Sequence, residues 1–159
     1  MPERADGATR RATAADAPAI GRLLYDFNTE FGEPTPSVEA NGARIGELIA
    51  GGDTDVVLAA ANGDPVGLAV LRFRPALWST SLECYLAELY VAPEYRGDGL
   101  GRALMEAAIE LARGRGADYM DLGTAETDTA ARALYESLGF SNREGRPDGP
   151  VNYYYEREL

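Results

Sequence analysis

The run Val91-Ala92-Pro93-Glu94-Tyr95-Arg96-Gly97-Asp98-Gly99-Leu100-Gly101-Arg102 places glycines at alternate positions directly ahead of Leu100, Leu104, Ala108 and Leu111, which recur at helical spacing. Glycines at a helix N-terminus can do one kind of chemistry well: they bind an anion with main chain alone. The first turn has N–H groups without intrahelical partners, and the helix dipole adds partial positive charge. Glycine lets phosphate oxygens approach several consecutive N–H groups and reaches the positive φ that such nests use. The expectation is a pyrophosphate cradle. A plain strand-to-helix turn would not need three alternating glycines. The Gly-x-x-x-x-Gly-Lys-Ser/Thr pattern of a nucleotide-binding loop is absent from the chain.

The elements that must position this loop can be read in order. Ala8–Ala12 forms a first strand, and Asp16 with Pro18 starts a helix that runs to about Phe31, with Ile20, Leu23, Leu24 and Phe27 on one stripe. Gly32 to Pro36 is a loop, and a second helix covers Val38–Ala50 before Gly51-Gly52. Strands Val56–Ala61 and Val66–Phe73 flank the turn Asn62-Gly63-Asp64, and Pro75–Ser81 connects to a strand over Leu82–Val91. The helix after the cradle reaches about Arg113, and Gly114 to Gly116 stops it before a strand at Tyr119–Leu122. A further helix spans Asp128–Leu138, with Gly139 as its left-handed cap and Phe140 closing the contact beyond it. A polar loop, Ser141–Gly149, leads to a closing strand at Val151–Arg157. This order predicts an α/β protein whose central sheet is mixed but mostly antiparallel, with about seven strands and about four helices on both faces.

Composition bounds the function. The 159 residues fit a single domain over 1–159, and 45% hydrophobic with 26% charged residues is ordinary for a folded chain. A formal net charge of −11 with scattered basic residues argues against nucleic acid as a partner; it suits a cationic or amine-bearing substrate, or else serves solubility alone. The single cysteine, Cys84, cannot form an internal disulfide and reads as packing in an apolar strand. No apolar run is long enough to cross a membrane, and Met1–Ala8 lacks the apolar core of a signal peptide, so the expected location is the cytoplasm. A homodimer is the default expectation for assembly.

Two segments together carry a family resemblance. Glu88 to Gly101, with Arg96-Gly97-Asp98-Gly99-Leu100-Gly101 inside it, and Asp128 to Phe140, with Leu134-Tyr135-Glu136-Ser137-Leu138-Gly139-Phe140, resemble the GNAT superfamily of acyl-CoA-dependent N-acetyltransferases. The resemblance implies acetyl-CoA as co-substrate, no metal, and transfer of the acetyl group to a primary amine by direct attack in a ternary complex. A catalytically silent acyl-CoA-binding regulatory module is the alternative. Backbone amides from Gly97 through Asp98, Gly99, Leu100 and Gly101 to Arg102 would hold the pyrophosphate, with Arg96 starting the loop. Main chain at Leu89, Tyr90 and Val91 would pair with the pantetheine arm and aim the thioester carbonyl at a backbone donor, which stabilises charge that develops only in the transition state. Tyr135 would protonate the departing thiolate, since a phenol of pKa ~10 is protonated at neutral pH. Its bland reading is a core tyrosine.

An amine is mostly protonated at pH 7 and must lose a proton before it attacks. The chain has no histidine, which leaves carboxylates, tyrosines or water chains as the base. Glu88 is the first candidate, because it leads into the cradle; a glutamate that only binds the cationic acceptor is the competing reading. Glu83 is the second, although strand alternation puts it on the opposite face from Glu88 unless a bulge intervenes. Two positions depart from the family pattern. Asp128 stands where many relatives have asparagine, so it can cap its helix but, ionised, cannot donate to a pantetheine carbonyl. Gly123 stands where acetylators of ribosomal-protein N-termini tend to have glutamate. Trp78, Phe27, Phe31 and the tyrosines at 153–155 read as packing or strand residues ahead of an acceptor pocket, and the acceptor would be read by Gly32–Ser37, the second helix and the last hairpin.

Overall fold

A computed structural model describes residues 8–159 of the chain. All of Met1–Ala8 but its last residue, the stretch read for a signal peptide, lies outside them. The described chain forms two compact units, one ending at Asp121 and one running from Leu122 to Leu159.

The first unit is a five-stranded sheet in the order β1 (Thr9–Arg11), β2 (Thr54–Ala61), β3 (Asp64–Pro75), β4 (Leu82–Val91) and β5 (Ala117–Asp121). All neighbours are antiparallel except β4 and β5, which are parallel because α3 (Leu100–Gly114) carries the chain back between them. The other two helices of this unit, α1 (Ala17–Glu30) and α2 (Val38–Ala50), precede the hairpin. The β2–β3 turn follows from Asn62 and Gly63, whose φ values of 52° and 81° give the left-handed pair that matches the twist of the flanking strands.

Helices cover both faces of the sheet. Ile20 and Leu23 of α1 and Ile45 of α2 form one core with Val56, Leu58, Leu68, Val70 and Tyr90. This face also requires close helix contact: a Cβ on Gly21 would lie 2.5 Å from the Gly42 nitrogen. On the opposite face, a Cβ on Gly67 would meet Leu104 of α3 at 3.2 Å, and the Arg115 guanidinium lies 4.2 Å from the Phe73 ring centroid. Cys84 is buried on that side, where burial pushes its thiol up to about 12, as expected for packing rather than reactivity. Asp55, 4% exposed, is neutralised by Arg11 at 2.7 Å and Arg115 at 2.9 Å, which ties β1 and the end of α3 to β2.

The second unit contains α4 (Thr129–Ser137). Its N-cap is Asp128, whose side chain accepts the Ala131 N–H at 3.1 Å. Gly139, at φ 91°, ends it, and the Phe140 N–H donates to the Tyr135 carbonyl at 3.0 Å while the two rings meet edge to face.

Two expectations are corrected. The sheet has five strands, not about seven, and Val151–Arg157 is not a strand. Three consecutive tyrosines have high strand propensity, but that propensity measures fit against a neighbouring strand, and this unit offers none. Tyr153, Tyr154 and Tyr155 are all exposed.

Candidate functional site

The sequence Leu89 to Arg102 forms one continuous strand-loop-helix path. Gly97 and Gly99 have φ values of 89° and 82°, and a Cβ built on either would meet nothing within 4 Å. A side chain there would be strained and would fill the space in front of the loop. Gly99 is the N-cap of α3, and no side chain caps that end, so the first-turn N–H groups face the same space. Leu100 is buried and anchors the helix end, while Gly97, Asp98 and Gly99 are exposed. Arg102 is exposed and lies 3.8 Å from Glu106. These features fit a pyrophosphate held by main chain.

Upstream, β4 pairs with β5 only from Leu82 to Tyr85. From Leu86 to Val91 it pairs with β3 alone among the described strands. The Ala92 N–H donates to the Val66 carbonyl at 2.8 Å, so by ladder alternation the main-chain groups of Tyr90 also point to β3. The amides and carbonyls of Leu89 and Val91 therefore point to the edge that lacks a strand. The Val91 carbonyl there accepts Arg96 Nε at 2.9 Å, which sets the loop at the end of that edge.

The side-chain arrangement of β4 depends on a bulge. Leu86 pairs with Leu71 but Glu88 pairs with Val70, so Ala87 is the extra residue. The bulge reverses the alternation. Glu83, paired with Arg74, and Glu88, paired with Val70, consequently lie on the same face, the one that carries α1 and α2. Glu88 is half-buried, and burial raises its carboxyl above its ordinary value. Glu83 is held by Arg74 at 2.8 Å and is the less free of the two.

Sequence reasoning missed Asp121. It pairs laterally with Tyr85 and so shares the Glu83 and Glu88 face, and its Oδ1 is buried with no hydrogen-bond partner. Burial raises its carboxyl, Arg74 lowers it, and Glu83 raises it again. No sequence signal marked it, because the burial of one carboxylate oxygen is a tertiary fact. The aromatic candidates divide. Phe27 stacks between Phe31 and Tyr90 at centroid distances of 5.4 and 4.9 Å, whereas Trp78 is 91% exposed on the connection before β4 and does not pack.

Tyr135 and Asp128 belong to the second unit. Tyr135 is buried, and burial first and the Asp128 charge second raise its phenol above the ordinary value, so it holds its proton. Asp128 uses Oδ1 to cap α4.

The profile of the acetyltransferase (GNAT) family matches residues 20–140. The chain is 31% identical to streptothricin acetyltransferase of Streptomyces lavendulae over 86% of its own length, which spans 64% of that protein. It is 30% identical to aminoglycoside N(6')-acetyltransferase type 1 of Stenotrophomonas maltophilia over 85% of its length and 86% of the relative. A crystal structure of an assigned acetyltransferase from Arthrobacter sp. FB24 superposes with a TM-score of 0.84 at 46% identity, covering 96% of both chains.

Proposed function

Because the chain belongs to the acetyltransferase (GNAT) family and is an acyltransferase of that fold, we propose that it moves an acetyl group from acetyl-CoA to a primary amine by direct attack in a ternary complex. The observation that carries this reading is the continuity of the Leu89–Val91 edge with the glycine loop, because a pantetheine arm laid along the edge delivers its pyrophosphate to Gly97–Arg102. Acetyl-CoA supplies an activated thioester. Leu89 and Val91 offer edge N–H groups to the arm and to the thioester oxygen, where a preorganised donor lowers the barrier by stabilising the developing oxyanion.

The raised Glu88 carboxyl takes the proton from the acceptor ammonium. The neutral nitrogen then forms its bond to the acetyl carbon, the carbon–sulfur bond breaks as the Tyr135 hydroxyl gives its proton to the leaving sulfur, and the second proton that the nitrogen loses on becoming an amide restores the Tyr135 hydroxyl. Glu83, Glu88 and Asp121 on one face favour a cationic acceptor, and relatives named for streptothricin and aminoglycosides fit an amine-bearing one. The test is release of free CoA thiol from acetyl-CoA with a panel of mono- and polyamines. Acceptor-dependent release is expected. CoA binding without turnover on any amine would leave only a silent acyl-CoA-binding protein.

A further inference from the structure

Arg96 opens the glycine loop, and its guanidinium is already engaged by three contacts within the protein. Its Nε donates to the Val91 carbonyl at 2.9 Å, its Nη2 lies 2.8 Å from Glu30 Oε2 and 3.0 Å from Oε1, and its Cζ sits 5.6 Å from the Tyr90 ring centroid. Glu30 is the last residue of α1, and it also accepts the Tyr90 hydroxyl at 3.3 Å. Tyr90 in turn packs on Phe27, one turn back along α1.

We infer that Arg96 is a positioning residue that latches the glycine loop to the end of α1 through Glu30, and does not serve as a cationic ligand of the pyrophosphate. This rests on the reading of the loop as the CoA site. A carboxylate beside a bound polyanion would weaken binding by repulsion, unless Arg96 cancels its charge and the pair performs another task. The geometry supplies that task. Val91 ends the pantetheine edge, Arg96 begins the loop and Glu30 ends α1, so one guanidinium fixes three segments that a single ligand would have to meet together.

The two roles of Arg96 predict opposite signs. If Arg96 bound the pyrophosphate, Glu30→Gln would release its charge, and CoA would bind equally well or more tightly. As a latch, the same change frees the loop, and the dissociation constant for CoA, measured by titration calorimetry, should rise roughly fivefold, as expected from losing one partly exposed ion-pair network. Arg96→Lys keeps the charge but loses the planar fork, so it should weaken CoA by a similar factor, and the double variant should be no worse than either single one. Pantetheine, which lacks the pyrophosphate, should bind wild type and Glu30→Gln alike by chemical-shift titration. Unchanged or tighter CoA binding by Glu30→Gln, additive losses, or an equal loss toward pantetheine would overturn the latch. Wild type that binds no CoA would overturn the cofactor reading itself along with it.

Discussion

The glycine loop and Glu88 of the acidic face lie within ten residues of each other on one strand-loop path, but the loop is built of main chain and the face of side chains. The loop presents N–H groups fixed by two left-handed glycines and a helix end, with Arg96 beside it paired to Glu30. The face presents Glu83 and Glu88, brought to one side by one extra residue in β4, with Asp121 of β5 beside Tyr85. The difference teaches where each kind of specificity resides. On the proposed reading, the backbone cradle serves what every reaction of the family would share, the anionic handle of the donor, and the carboxylates of the bulged face are left to suit the acceptor.

The comparison breaks most visibly in the proton steps. Glu88→Gln should lower kcat by about 10²- to 10⁴-fold, the usual worth of a general base, with CoA affinity within twofold of wild type. Tyr135→Phe should lower kcat by about 10²-fold on the same criterion. Equal loss of turnover and CoA affinity in either variant would mark a structural residue and erase the division between the two sides. Because burial raises the Glu88 carboxyl, the acid limb of kcat/KM in wild type should lie above the ordinary carboxylate range, with activity rising as Glu88 ionises. Stability moves the other way. The folded state binds the Glu88 proton more tightly than the unfolded chain, so stability falls as pH rises through the window between the two pKa values. Glu88→Gln should therefore melt slightly higher than wild type at neutral pH, and the difference should vanish below the ordinary carboxylate range. A lower Tm at neutral pH would contradict this sign.

The loop side should respond in binding alone. Gly97→Val forces a β-branched residue to φ 89° and places its side chain in the space in front of the cradle, so KM for acetyl-CoA should rise by roughly tenfold or more. KM for the amine should change little. An equal rise in both constants would mean that loop and face are one site with no separable halves.

How much of this could be read from the chain follows the same division. The glycine turn that opens α3 was legible because glycine spacing ahead of a helical stripe is a local signal, and helices α1 to α4 and the Asn62-Gly63 hairpin were legible for the same reason. The β4 bulge was not, because Leu86-Ala87-Glu88 carries no glycine or proline to announce an irregular ladder. Simple alternation therefore put Glu83 and Glu88 on opposite faces, and only the bulge unites them. The Tyr153–Tyr155 run misled in the opposite direction: its composition suits a strand, but no strand lies in its unit to pair with it. The Arg96–Glu30 contact joins residues 66 apart in sequence and left no local trace. Main-chain sites built from neighbouring residues are written in the sequence, whereas the directions of side chains on a sheet are written in its register.

Asp128 gives the finest test, because it acts through main chain and charge at once. Its Oδ1 accepts the Ala131 N–H and caps α4, and its charge is the second cause, after burial, of the raised Tyr135 phenol. Asp128→Asn keeps an equally good cap, so Tm should be unchanged, whereas Asp128→Ala should cost about 1 kcal/mol in denaturant unfolding. Losing the charge should lower the Tyr135 pKa toward its ordinary value, because a neighbouring anion favours the neutral phenol. The basic limb of kcat, which requires Tyr135 to be protonated, should then move to lower pH in Asp128→Asn. Asparagine also brings an N–H donor that aspartate lacks, so a tighter CoA complex in the same variant would extend the main-chain cradle with a side-chain contact that this sequence has given up. A basic limb that does not move would separate Tyr135 from the proton transfer, whatever the change in CoA affinity.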